Sequence, residues 1–312
     1  KVSATTPAVL PPLPADAPRN RLSLARWLVD SQNPLTARVT VNRVWQGFFG
    51  TGLVESAGDF GVTGSQPSHP ALLDWLAVEF REGGWNYRQL VRLIVTSATY
   101  RQSAVVSPAL LERDPANRLL ARGPRFRLEA EQLRDQALAA SGLLVAKVGG
   151  RPVRPYQPQG IWEDVAMKES TTRFYRTDSG ENLYRRSLYT LIKRTALAPA
   201  MDILNAPNRE VSCVRRDRTN TPLQALTLLN DPVYVEAAKA LARRVAADLP
   251  AAGADERLRH AFRLCLGRAP SPVEFEALQG LLNAQQTARG EEAAWQAVAT
   301  ALLNLDEMIT KG

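Results

Sequence analysis

With 312 residues, 45% apolar and 22% charged, the chain has the make-up of a water-soluble globular protein, long enough for one large core or two smaller ones. Its formal net charge of +8 and pI of about 9.8 favour anionic partners such as acidic glycans, nucleic acid or a membrane surface. Two cysteines without a Cys-x-x-Cys pair and only two histidines argue against a Cys/His zinc site, and the longest small-apolar run, near Ala137–Ala146, is far too short to span a membrane.

Residues 1–20 read as a proline-rich linker carrying Pro7, Pro11, Pro12, Pro14 and Pro18. The chain opens on Lys1 rather than Met, as expected of a processed product or a piece of a longer polypeptide. Helical periodicity dominates after the linker. Leu22, Ala25, Leu28 and Val29 make one apolar stripe, and Ala37, Val41, Val44 and Phe48 a second, ended by Gly50. Within that second helix Asn42, Arg43 and Gln46 are polar and need partners, so an ion pair from Arg43 to a carboxylate such as Asp59 is expected. Pro70 opens a third helix, closed by Gly83-Gly84. Asn86 caps a fourth, with Gln89 at the capping-box position. Phe126, Ala130, Leu133, Ala137 and Leu144 trace a longer fifth.

Residues 145–195 break the period. Glycines, prolines and the aromatics Tyr156, Trp162, Phe174 and Tyr175 predict a long irregular loop, and Ser187–Ile192 alternates like a short strand. Thr221-Pro222 and Asp231-Pro232 each place a capping side chain before a proline, which predicts two consecutive helix starts. Helices around Leu258–Leu266, from Ser271-Pro272-Val273-Glu274 and around Trp295–Leu305 follow. The fold class expected is mainly α: a multi-helical globular domain with a small β element and a long irregular central loop. An N-terminal helical half over 21–144 and a C-terminal half over 196–312 flank that loop, or one continuous domain covers 21–312.

Ordered motifs run through the chain: Arg21-Leu22-Ser23-Leu24-Ala25-Arg26-Trp27-Leu28, Val41-Asn42-Arg43-Val44-Trp45-Gln46, Ser68-His69-Pro70, Thr96-Ser97-Ala98-Thr99-Tyr100-Arg101-Gln102-Ser103, Tyr184-Arg185-Arg186-Ser187-Leu188-Tyr189, the Arg215-to-Asp231 segment and Leu302-Leu303-Asn304-Leu305-Asp306-Glu307. From about Arg21 to the C-terminus the chain resembles the planctomycete domain of unknown function 1553. The resemblance implies an exported, extracytoplasmic protein in which such a domain ends a larger polypeptide with a cytochrome-c-like segment upstream. It transfers no catalytic residue. No cofactor is expected in this chain, which has no Cys-x-x-Cys-His; any haem of the system belongs to an upstream domain.

Two constellations carry candidate chemistry. His69, at the mouth of a helix, is the candidate general base, with Asp59 or Glu129 as its acid partner in a polysaccharide-active enzyme; the alternative is a ring that merely caps the helix. Glu129 and Asp135 point to different faces of their helix, whereas Glu131 and Asp135 share one, where Arg127 and Arg134 give ordinary surface pairing. The second constellation is basic: Tyr184–Arg218 holds eight Arg and Lys against three acids. Arg185, Arg186, Arg194, Arg215, Arg216, Arg218 and Asn220, beside Tyr156 and Trp162, are the expected ligand-binding residues for an acidic polysaccharide or a partner domain of the same polypeptide. The competing reading is that these arginines stack on aromatics to pin the loop. Nucleic-acid binding fits the charge but not the implied export, and no nucleic-acid motif is present. The leading expectation is an accessory or binding module. In an oxidising compartment Cys213 and Cys265 could form a disulfide, and the sequence alone does not decide it.

Overall fold

The computed structural model describes residues 5–312. The chain is mainly α-helical: the described residues form fourteen α-helices and one two-stranded sheet. It divides into two compact units, the first ending at Arg125 and the second spanning Phe126–Lys311.

The first unit contains α1 (Arg21–Leu28), α2 (Thr36–Phe49), α3 (Pro70–Glu82), α4 (Tyr87–Thr96) and α5 (Pro108–Arg113). The α2 stripe of Val41, Val44, Trp45 and Phe49 packs with Leu73, Leu76 and Phe80 of α3 and with Leu90 and Ile94 of α4. Trp45 and Phe49, one turn apart, stack with ring centroids 4.0 Å apart. The buried polar residue of α2 is Asn42, which donates to Val54 O at 3.0 Å and accepts from Val54 N at 2.8 Å. Gly52 is needed there, because a Cβ would sit 2.6 Å from the Asn42 amide. Arg43 is exposed instead, and Asp59 spends its carboxylate on Gly61 N (2.8 Å) and the Thr63 hydroxyl (2.7 Å). The expected Arg43–Asp59 pair is therefore not formed. The α1 stripe also departs from expectation: Leu22 and Val29 are 57% and 52% exposed, and Ser23 is the buried side. That side faces a cleft lined by Pro11, Pro12, Pro14 and Trp27, and Trp27 Nε1 donates to Pro11 O at 2.7 Å.

The second unit contains β1 (Phe126–Arg127), α6 (Ala130–Ser141), α7 (Ile161–Val165), α8 (Pro199–Ile203), α9 (Pro222–Asn230), α10 (Pro232–Asp248), α11 (Ala254–Leu266), α12 (Pro272–Arg289), α13 (Glu291–Leu303), α14 (Asp306–Ile309) and β2 (Thr310–Lys311). Its core centres on α10, where Ala237, Leu241 and Val245 meet Leu133 and Ala137 of α6, Leu258 and Phe262 of α11, and Val298 and Leu302 of α13. The punctuation read from the sequence is in place. Thr221 and Gln224 close a capping box on α9, Asp231 accepts from Val233 N at the start of α10, and Ser271 with Glu274 opens α12.

The small β element lies elsewhere than Ser187–Ile192. It pairs the two ends of the unit antiparallel, Phe126 with Lys311 and Arg127 with Thr310. Ser187–Tyr189 forms a 3-10 turn, leaving one isolated bridge between Val153 and Thr190. The cause is local: Ser187 gives both its backbone N–H and its hydroxyl to Asp135 Oδ1, each at 2.7 Å, so a side chain takes the donor a strand neighbour would need. The helix traced from Phe126 starts only at Ala130, because Phe126-Arg127 is a strand and Glu129 with Gln132 forms a capping box. It stops at Gly142, whose φ of 78° is the left-handed C-cap.

Candidate functional site

The basic segment is built on the N-terminal turn of α6. Arg216 lays its guanidinium on Glu131 with contacts of 2.5 and 3.2 Å, and Glu129 lies 3.3 Å from the same Nη1. Burial alone would raise the Glu131 carboxyl, but the Arg216 hydrogen bonds and charge outweigh it and hold that carboxyl below its ordinary value. The segment is anchored at its C-terminal side by Gln224, fully buried on α9. Its amide nitrogen reaches Ile203 O (2.8 Å), Asn205 Oδ1 (2.6 Å) and Thr219 Oγ1 (2.8 Å), tying Ile203 and Asn205 to Thr219 across the intervening loop.

Beyond Arg216 the segment folds over the small sheet. Arg218 lies over the Phe126 ring with its guanidinium carbon 4.2 Å from the centroid, and Lys311 Nζ lies 5.8 Å from the same centroid. Beside them Arg127 Nη1 donates to Asn220 Oδ1 at 3.0 Å. Loss of water is the first cause pulling the pKa of Arg127, Arg218 and Lys311 below the ordinary range, and the charge of Arg215 pushes Arg218 further down. Phe126, Arg127 and Lys311 carried no site signal in the sequence. They meet Arg218 because the two ends of the unit pair as strands, which no local pattern announces.

Other expected ligand residues are placed differently. Arg185 is only 3% exposed. It gives Nη1 to Arg151 O (3.1 Å) and Nη2 to Lys147 O (3.0 Å) and Gly149 O (2.5 Å), and it stacks on Tyr189 at 3.9 Å. Arg185 therefore belongs to the fold: it gathers the carbonyls of the irregular loop, which is the pinning alternative. The same holds for Trp162, 3% exposed, which packs edge-on against Tyr175 at 4.9 Å. It offers no free face for stacking. Tyr156 is half-buried, and loss of water, followed by the nearby Glu236 charge, pushes its phenol above the ordinary value. Arg186, Arg194 and Arg215 are exposed.

Sequence reasoning missed Arg134, which is a buried anchor rather than a surface pair. Its guanidinium donates to Leu183 O (2.6 Å), Arg185 O (2.9 Å) and Ser187 Oγ (3.1 Å). With Asp135 on Ser187, it holds the 183–187 turn against α6. A cavity of about 20 Å³ borders this turn, lined by Glu131, Ser187 and Thr190 among others. That is room for about one water, not for a sugar.

The acid–base candidates lie apart in their surroundings. His69 occupies the cap position of α3 without a capping bond, and its Nδ1 lies 3.1 Å from Ser68 Oγ. Asp59 is held inside its own turn by Thr63 first and Gly61 second, which together keep its carboxyl below the ordinary range. Glu129 belongs to the other unit. No group of three or more potential metal ligands occurs among the described residues. Both cysteines are free, Cys213 exposed and Cys265 buried. No helix among the described residues is long and apolar enough to cross a membrane.

Fold and surface thus define a mainly helical protein of two units, the second carrying cations gathered round an aromatic ring. The chain belongs to the family PSD1, protein of unknown function (DUF1553), whose model matches residues 20–282. No curated protein and no solved structure matches it.

Proposed function

We propose that the Phe126–Lys311 unit is a binding module that grips an acidic polysaccharide through Arg127, Arg215, Arg218 and Lys311, as an accessory part of a larger exported, cytochrome-associated polypeptide. The observation that carries this reading is the Phe126 ring flanked by Arg218 and Lys311. The ring orders two cationic side chains before any ligand arrives, so less side-chain freedom is lost on binding. Partial burial strips water from these cations, and a sulfate or carboxylate group replaces part of that lost solvation. Arginine forks suit such two-point recognition.

Retention on immobilised heparin tests the reading. The intact chain is expected to bind at low salt and to elute as salt screens the contact. Arg215→Glu with Arg218→Glu is expected to elute at clearly lower salt. Retention that ignores salt, or that survives both charge reversals, contradicts it.

A further inference from the structure

A second cleft opens between α10 and α13, with a volume of about 380 Å³. This falls within the roughly 300–1,000 Å³ typical of small-molecule sites. From α10 it takes Lys239, Ala242, Arg243 and Ala246, positions that share one helix face. From the first turns of α13 it takes Glu291, Glu292, Trp295 and Gln296. Trp295 and the two alanines supply an apolar surface, and all remaining lining groups are charged or amide.

The charge pattern decides the ligand class. Two cations from α10 meet two carboxylates from α13, so the cleft is formally neutral. No ion pair is formed by Lys239, Arg243, Glu291 or Glu292 among the described residues. A polyanion meets the glutamates and a polycation meets Lys239 and Arg243. A purely apolar ligand strips water from all four charges without compensation. A polyhydroxylated neutral ring satisfies every element. Its hydroxyls accept from Lys239, Arg243 and the Gln296 amide and donate to Glu291, Glu292 and the Gln296 carbonyl. Its C–H face lies on the electron-rich face of Trp295.

We infer that the α10–α13 cleft is a binding site for an uncharged oligosaccharide, distinct from the cationic surface at Phe126. The full chain is titrated calorimetrically with cellohexaose, maltohexaose, xylohexaose and laminarihexaose. At least one is expected to bind saturably, with affinity lowered at least tenfold by Trp295→Ala and at least threefold by Glu292→Gln or Gln296→Ala. Arg218→Glu, which disables the proposed polyanion surface, is expected to leave this binding unchanged, so the two readings fail separately. If Trp295→Ala does not fold, the two rim variants decide. Absence of saturable binding by all four sugars overturns the inference, as does binding that Glu292→Gln and Gln296→Ala leave untouched.

Discussion

Arg216 and Glu131 meet in a two-point ion pair that seats the basic segment on the first turn of α6, with oxygen contacts of 2.5 and 3.2 Å. The arginine is thus a structural clamp, and the surface-exposed Arg215 and Arg218 beside it are the groups presented outward. Both partners of the clamp are about three-quarters buried, so it is stronger than a surface pair but short of a fully buried one. Glu131→Gln is expected to lower stability by about 1–2 kcal/mol in urea unfolding. A change under a few tenths of a kcal/mol shows that the clamp contributes nothing.

Arg185 gives a sharper contrast. Arg185→Ala leaves the carbonyls of Lys147, Gly149 and Arg151 without their shared donor. A loss of about 3 kcal/mol or more is expected. Arg185→Lys recovers little of it, because a single ammonium cannot reproduce the fork. Arg186→Ala, one residue on and exposed, is expected to be within about 0.5 kcal/mol of the parent. Equal costs for the two residues contradict the placement.

These two neighbours show what was legible in the sequence. Helix starts were, because Thr221-Pro222, Asp231-Pro232 and Ser271-Pro272 carry their cap chemistry within four residues. The direction of each arginine was not. Arg185 and Arg186 read alike, and only the turn held by Arg134 and Asp135 sends the first inward. The pairing of Phe126 with Lys311 was equally hidden, since contacts between residues so far apart in the chain leave no periodic trace. The α1 stripe misled because apolar spacing predicts a helix but not what covers it.

The turn from α11 to α12 carries a pH prediction. Arg268 reaches both Glu274 and Glu307, and the hydrogen bonds from Arg268 and then Ser271 hold the Glu274 carboxyl at about 2. A carboxyl depressed on folding stabilises above its unfolded value, and that contribution is lost as pH falls through the folded value. Stability is therefore expected to fall between about pH 4.5 and pH 2. In Arg268→Ala the Glu274 midpoint, followed by NMR, should rise toward the ordinary value of 4.5. An unmoved midpoint rules out Arg268 as the cause.

The two thiols are expected to differ in reactivity. Cys213 is exposed, while burial pushes the Cys265 thiol up to about 12. A disulfide-exchange reagent at pH 8 should modify one thiol per native chain quickly and the second only in denaturant. Two fast thiols, or none, contradict this.

The central claim concerns charge presented around Phe126, and fluorescence anisotropy with a labelled heparin dodecasaccharide tests it most directly. Affinity for the parent chain is expected to fall steeply with added salt and to drop at least tenfold in the Arg215→Glu/Arg218→Glu variant, with folding intact by circular dichroism. An affinity that is indifferent to salt, or identical in the folded variant, contradicts the account.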